Sequence, residues 1–415
     1  MDGSLILRET VKFGENQVIN YVPKIPDNYF EGSIEVEVFS IENMVIPYAG
    51  ISVIYQSEMG ISLTHTYSRS YSNHEIEDGN IMPICNETCC HTLLSANKGS
   101  SYFVLHNGNQ RIPEQEITLE LLNFKGERKI KKRNLKSLNP YQTIKIDPKE
   151  YFEDYEKILD EKPGNLTIEF SLNKTVFPRL LCVNESNDKR DFQVNHSNFN
   201  LSRIIGSKVD DEFGYNNWGC LEGVDTELII YPDCEDGKFE ALYEKKIIEF
   251  DKDKITSIKL NPDYNYPVKF RKINDKLPLR IHTGVRVSKP LTNRLPSETC
   301  RGIWHSKSGP KRFFWIIVSG KNDIDSRIIV RPFKDDVNIK LNLKLYSAHN
   351  NQILENEIYS SVMKNGITLD KIFPNSKKFL KNSYGWLTIF SNYEWFDVTG
   401  TLENKFGSIG MEHSF

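Results

Sequence analysis

The chain lacks most short signatures of catalysis. It has no Gly-x-Ser-x-Gly turn to expose a nucleophile, and neither a Gly-x4-Gly-Lys-Ser/Thr phosphate loop nor a Gly-x-Gly-x-x-Gly dinucleotide turn. No His-x-His pair and no paired Cys-x2-Cys motifs occur, so no metal or other cofactor is expected. Cysteine is scarce and odd in number, with seven at Cys85, Cys89, Cys90, Cys182, Cys220, Cys234 and Cys300. Scattered cysteines fit reduced thiols in a cytoplasm better than a disulfide framework. No run approaches 18 apolar residues, so no membrane span is expected. The opening "MDGSLILRETVKFGENQ" has one short apolar patch, Leu5 to Leu7, and no basic stretch before it, so no secretory signal is expected. Excess positive charge is missing too. The net charge is -3, which gives no basic footprint for nucleic acid.

What is present suits a folded, soluble, cytoplasmic protein. Hydrophobic residues are 39% of the chain, enough to bury a core and to exclude global disorder. With 415 residues, two domains of about 200 each are expected.

Period-two alternation dominates. "SIEVEVFS" (33–40) points Ile34, Val36 and Val38 one way and Glu35 and Glu37 the other. "NLTIEFSL" (165–172) and "VNIKLNLKLYS" (337–347) alternate likewise, so each reads as an antiparallel strand with one wet face. "RFFWIIVSG" (312–320) is apolar throughout and reads as a strand buried on both faces. Helical signals are few. "DPKEYFEDYEKILDEKPG" (147–164) has Asp147 as a cap, Pro148 at the first position and "KPG" as a stop, and a second short helix starts near Leu369. The fold class expected is all-β: two tandem β-sandwich or jelly-roll-like domains, each with a short helical insertion.

An internal repeat follows from features that recur in order. "VIPYAGISVIY" (45–55) matches "KLPLRIHTGVRV" (276–287), and "SLTHTYSRSYSNHE" (62–75) matches "PLTNRLPSETCRGIWHS" (290–306). "SYFVLHNG" (101–108) is set against "RFFWIIVSG", "ITLELLNF" (117–124) against "IKLNLKLYS", and "TIKIDPKEYF" (143–152) against "TLDKIFPNSKKF" (368–379). "GNLTIEF" (164–170) matches "GWLTIFS" (385–391), and "VNHSNF" (194–199) matches "MEHSF" (411–415). The domains expected are therefore 1–205 and 224–415, joined by a linker at 206–223.

The candidate site rests on the His-Ser pair that closes both halves, His196-Ser197 and His413-Ser414. In a closed antiparallel domain a late strand commonly meets an early one. His65 and Arg69 in the first half, and Arg301 and His305 in the second, are the groups expected to face those pairs. Such a cluster could hold a polar ligand or do acid–base work, because imidazole titrates near neutral pH. The competing reading makes each histidine a structural cap. His65, His74 and Glu75 could ligate one ion, but a cupin-like site needs His-x-His, and the neighbouring ligands of "CNETCCH" (85–91) cannot easily converge. The basic run "KGERKIKKRNLK" (125–136) reads as a solvated hairpin, with an anion contact as the alternative. Aromatics mixed with Asn and acids in "FGYNNWG" (213–219) and "NYEWFD" (392–397) fit either a sugar platform or a plug between domains. Two functions follow: a non-catalytic binding or assembly protein, with a small polar ligand or glycan as partner, or an enzyme using a His/Arg/Ser cluster.

Overall fold

A computed structural model describes residues 3–24, 31–39, 50–65, 69–70, 84–88, 92–95, 97–160, 162–171, 176–177, 180–199, 208–231, 236–264, 266–308, 311–333 and 337–414. The fold is all-β, as the alternation predicts. Among the described residues every strand-to-strand ladder is antiparallel, and the helices span only one or two turns.

Three large hydrophobic cores organise these sheets. The first lies between a sheet ordered Phe192–His196, Leu180–Ser186, Gly99–His106, Thr143–Ile146 and a second built mainly from Ile84–Thr88, Gly164–Ser171, Gln115–Asn123 and Arg128–Leu135. Phe103, Leu119, Leu166 and Ile168 fill the space between them. The second core joins Leu228, Phe239, Phe270 and Val285. Its sheets run from Gly214–Asn216 to Ser297–Arg301. The third gathers Phe314, Ile328, Leu343, Leu387 and Val398. One of its sheets is ordered Ile409–His413, Phe396–Asn404, Ile324–Pro332, Ile367–Thr368, the same sequence of late and early strands as in the first sandwich.

The helical insertions also correspond. Pro148–Tyr151 and Tyr155–Leu159 follow Thr143–Ile146, as Leu369–Ile372 and Ser376–Leu380 follow Ile367–Thr368. Asp147 caps the first, its side chain accepting from the Lys149 N–H. The single helix expected over 147–164 is split at Phe152, whose ring is fully buried and takes extended backbone.

Other expectations change in detail. Residues 33–39 join no sheet, and Ile34 and Val36 are 62% and 54% exposed, because alternation offers a face but does not supply a partner edge. Phe313–Ser319 is not buried on both faces. Phe314, Ile316 and Val318 enter the core, while Phe313 is exposed and Trp315 stacks on Trp386 at 4.3 Å. The sheet position of "SYFVLHNG" is matched by Ile324–Pro332, one strand later than "RFFWIIVSG". The segment expected as a linker is built into sheets. Lys208–Val209 pairs with Leu277–Pro278, Gly214–Asn216 pairs with Val268–Lys272, and Trp218 and Cys220 are buried. The basic run forms the exposed edge strand Arg128–Leu135, with Arg128, Lys129 and Lys132 paired to Glu120, Asp154 and Glu116. Charge along an open edge blocks further strand pairing.

Candidate functional site

Four short strands from distant parts of the chain meet: Ile61–His65, Phe192–His196, Ser297–Arg301 and Ile409–His413. The His65 strand touches both the His196 and the His413 strand, and the Arg301 strand does the same from the other side. Small residues allow this. A Cβ on Gly410 would come within 3.0 Å of the Ser62 Cα, so the His413 strand lies almost directly on the His65 strand. Serine hydroxyls bind the ring together. Ser62 Oγ accepts from the Val194 N–H at 2.8 Å and donates to its carbonyl at 3.0 Å. Ser297 Oγ accepts from the Met411 N–H at 3.2 Å. Val194 and Met411 each lie two residues before a site histidine, so Ser62 and Ser297 do the same job in the two halves.

That correspondence sets the chemistry of the ring. His65 stands three residues after Ser62, and Cys300 three after Ser297. Asn195 Oδ1 accepts from the His196 N–H at 2.8 Å, and Glu412 Oε1 accepts from the His413 N–H at 2.8 Å. The N–H groups of Ser197 and Ser414 then donate to the carbonyls of Leu180 and Val398, at 2.8 and 3.2 Å. Both members of the first His-Ser pair thus bond to backbone, Ser197 to Leu180 and the His196 ring to the Ser197 carbonyl.

The three imidazoles touch. Ring centroids are 4.4 Å apart for His65 and His196, 5.3 Å for His65 and His413, and 5.7 Å for His196 and His413. One donor atom from each of these rings and from Glu412 lies within 4.8 Å of all the others. The His196 Nδ1–H donates to the Ser197 carbonyl at 2.8 Å, with the Cys300 Sγ 3.8 Å away. His413 Nδ1 pairs with Glu412 Oε1 at 2.5 Å, and Thr299 Oγ1 lies 3.2 Å from the same nitrogen. Burial pushes His413 below the usual imidazole pKa, with Glu412 acting against it.

Beside the imidazoles lies a buried cation. Arg301 pairs with Asp397, donates to the Ser414 carbonyl at 3.2 Å, and has the rings of Trp218 and Trp304 at 5.4 and 5.5 Å. Burial lowers its pKa to about 9, which leaves it charged at neutral pH. Trp218 and Asp397 come from the two aromatic-rich segments; Trp218 is 5% and Phe396 1% exposed, while Phe213, Tyr215, Tyr393 and Trp395 are half-buried.

Of the residues singled out in sequence, His65, His196, His413, Arg301, Ser197 and Ser414 come together here. His305 does not join them: its Nε2 meets the Leu279 carbonyl at 2.7 Å. Arg69 lies in the strand Arg69–Ser70, and its side chain falls outside the described residues, as do His74, Glu75 and the side chains of "CNETCCH". Sequence reasoning missed Glu412, Cys300, Thr299 and Asp397. The signal for Glu412 was there, since Asn195-His196-Ser197 aligns with Glu412-His413-Ser414.

No protein-family model matches this chain, and no curated protein matches it either. Among solved structures it is similar to one described as "Biofilm associated protein - BSP domain", at 8% identity and a TM-score of 0.13. That match covers 88% of this chain, which spans 65% of the other; a likeness so slight supports no argument about fold or function. No described helix is long and apolar enough to cross a membrane.

Proposed function

We propose that this chain is a non-catalytic binding or assembly protein of the cytoplasm, in which the convergent cluster holds the two halves together and an outer surface takes a small polar ligand or glycan. One observation carries the reading: most of the cluster is buried. His65 and His196 are 2% exposed and Cys300 1%, and His413 alone keeps part of its side chain, 12%, at the surface, which leaves little room for a substrate. A better place for a ligand is a cleft of about 330 Å³, lined by Asn97, Lys98, Asn187, Asp188, Asn293 and Arg294. Its size falls at the low end of small-molecule sites. Amides with charges of both signs suit a ligand rich in hydroxyls.

The enzyme reading keeps one observation in its favour, the mutual contact of three imidazoles and a carboxylate. A glycan array followed by calorimetry separates the two. Binding should weaken by about tenfold or more in Arg294→Ala, through loss of a charged hydrogen-bond donor. The bound sugar should stay chemically unchanged on long incubation. Conversion that disappears in His196→Gln, with the melting temperature intact, would establish the enzyme instead.

A further inference from the structure

We propose that His65, His196, His413 and Glu412 bind one divalent transition-metal ion of the zinc class, which clips the two halves of the chain together. The inference goes beyond the binding reading and does not depend on the outer cleft.

The donor set comes first. Three imidazoles and a carboxylate are ligands zinc accepts, and four protein donors in a buried place describe a closed structural site. A tetrahedral ion with bonds of about 2.1 Å sets its donors about 3.4 Å apart. The four donors here lie within 4.8 Å of one another, so side-chain rotations of about an ångström bring them onto one ion.

Two further observations point the same way. Glu412 is 6% exposed, and its Oε2 has no hydrogen-bond partner among the described residues. A buried carboxylate oxygen left in that state is costly unless a cation meets it. The His196 Nδ1–H is already spent on the Ser197 carbonyl, which fixes the tautomer with the lone pair on Nε2. Metal-binding histidines are oriented in this way by a backbone carbonyl behind the ring.

The origin of the ligands gives the ion its role. His65 and His196 belong to the first half, and Glu412 and His413 to the second. No short motif carries the set, because its members lie on three strands far apart in the chain. The sequence expectation of a metal-free protein rests on local spacing alone, and this arrangement escapes it.

The test uses the full-length chain with any purification tag removed. Metal content is measured by ICP-MS; the chelator-treated protein is then titrated with Zn(II) against a chromophoric chelator and, separately, loaded with Co(II). We expect one ion per chain, visible d–d absorption of tetrahedral Co(II), and a melting temperature that falls on chelation and returns with zinc. His65→Gln and His413→Gln should each weaken binding by about tenfold or more. Glu412→Gln, which keeps an acceptor for the His413 N–H, is the variant least prone to unfold and should weaken binding as well. The proposal is overturned if the chelated, still-folded wild type takes up neither ion, or if uptake persists in the double variant His65→Gln/His413→Gln.

Discussion

Glu298 carries a cost that its neighbours only partly offset. It is 3% exposed, and its Oε2 accepts from Thr92 N and Oγ1 at 3.0 and 2.9 Å, tying the second core to the first. Burial pushes its carboxyl well above the usual range, and the Thr92 bonds pull it part of the way back. The folded state therefore keeps a proton that the unfolded chain has released. A raised carboxyl pKa gives stability that is complete below the ordinary carboxylate range and is lost as pH rises through the folded value. Glu298→Gln retains an acceptor oxygen without the titration. Its melting temperature should fall less than that of the wild type as pH rises above the ordinary carboxylate range. Parallel curves from differential scanning fluorimetry would reject this account. Glu298 also marks what sequence can reveal at this scale. His196 and His413 were legible because they recur in matched contexts, whereas Glu298 and Cys300 sit in an unremarkable "SETCR" and acquire meaning only when Thr92 and His196 arrive from the other half.

Among elements, the His65 strand is the least typical. All five of its residues, Ile61 to His65, are buried, so polar Ser62, Thr64 and His65 enter the interior with Ile61 and Leu63. Alternation predicts a wet face for such a strand, and that expectation holds where one face meets water, as along Lys340–Ser347. It fails here because a second layer covers the outer side: the His196 strand lies against it, and so does the His413 strand. Serines then replace the missing solvent. Ser62→Ala would strand the Val194 N–H, and Ser297→Ala the Met411 N–H, both in dry surroundings. Each substitution should cost about 1–3 kcal/mol, the penalty for a buried donor left without a partner. Urea unfolding of both variants measures it. Losses of similar size at the two positions would support their equivalence, and a negligible loss at either would refute its bonding role.

For the whole molecule we propose that the sandwich around the first core and the one around the third, residues 84–199 and 313–414, are two copies of one unit. Support comes from the shared order of late and early strands, the paired helical insertions and the matched serines. "NLTIEF" and "WLTIFS" occupy corresponding central strands, each between an alternating strand and an edge-ward neighbour. Sequence offsets reached this far because the repeated strands kept their patterns. They could not reveal that residues 224–415 hold two cores, since the hydrophobic periods of adjoining sandwiches look alike. The joint is what makes the halves interdependent. Ile61 and Leu63 pack on Ile324 and Leu402, so residues 206–415 expressed alone would expose an apolar patch beside Glu412 and His413. Uncovering two such side chains costs roughly 3–6 kcal/mol, and even half of that lowers the melting point of a domain of this size by about 3–12 °C. Calorimetry should therefore find the fragment less stable than the same residues in the full chain. Addition of purified 1–205 should recover the difference, because the missing cover is a surface and not a covalent tether. A fragment that melts with the full chain would mean that the His65 strand covers the second half without stabilising it.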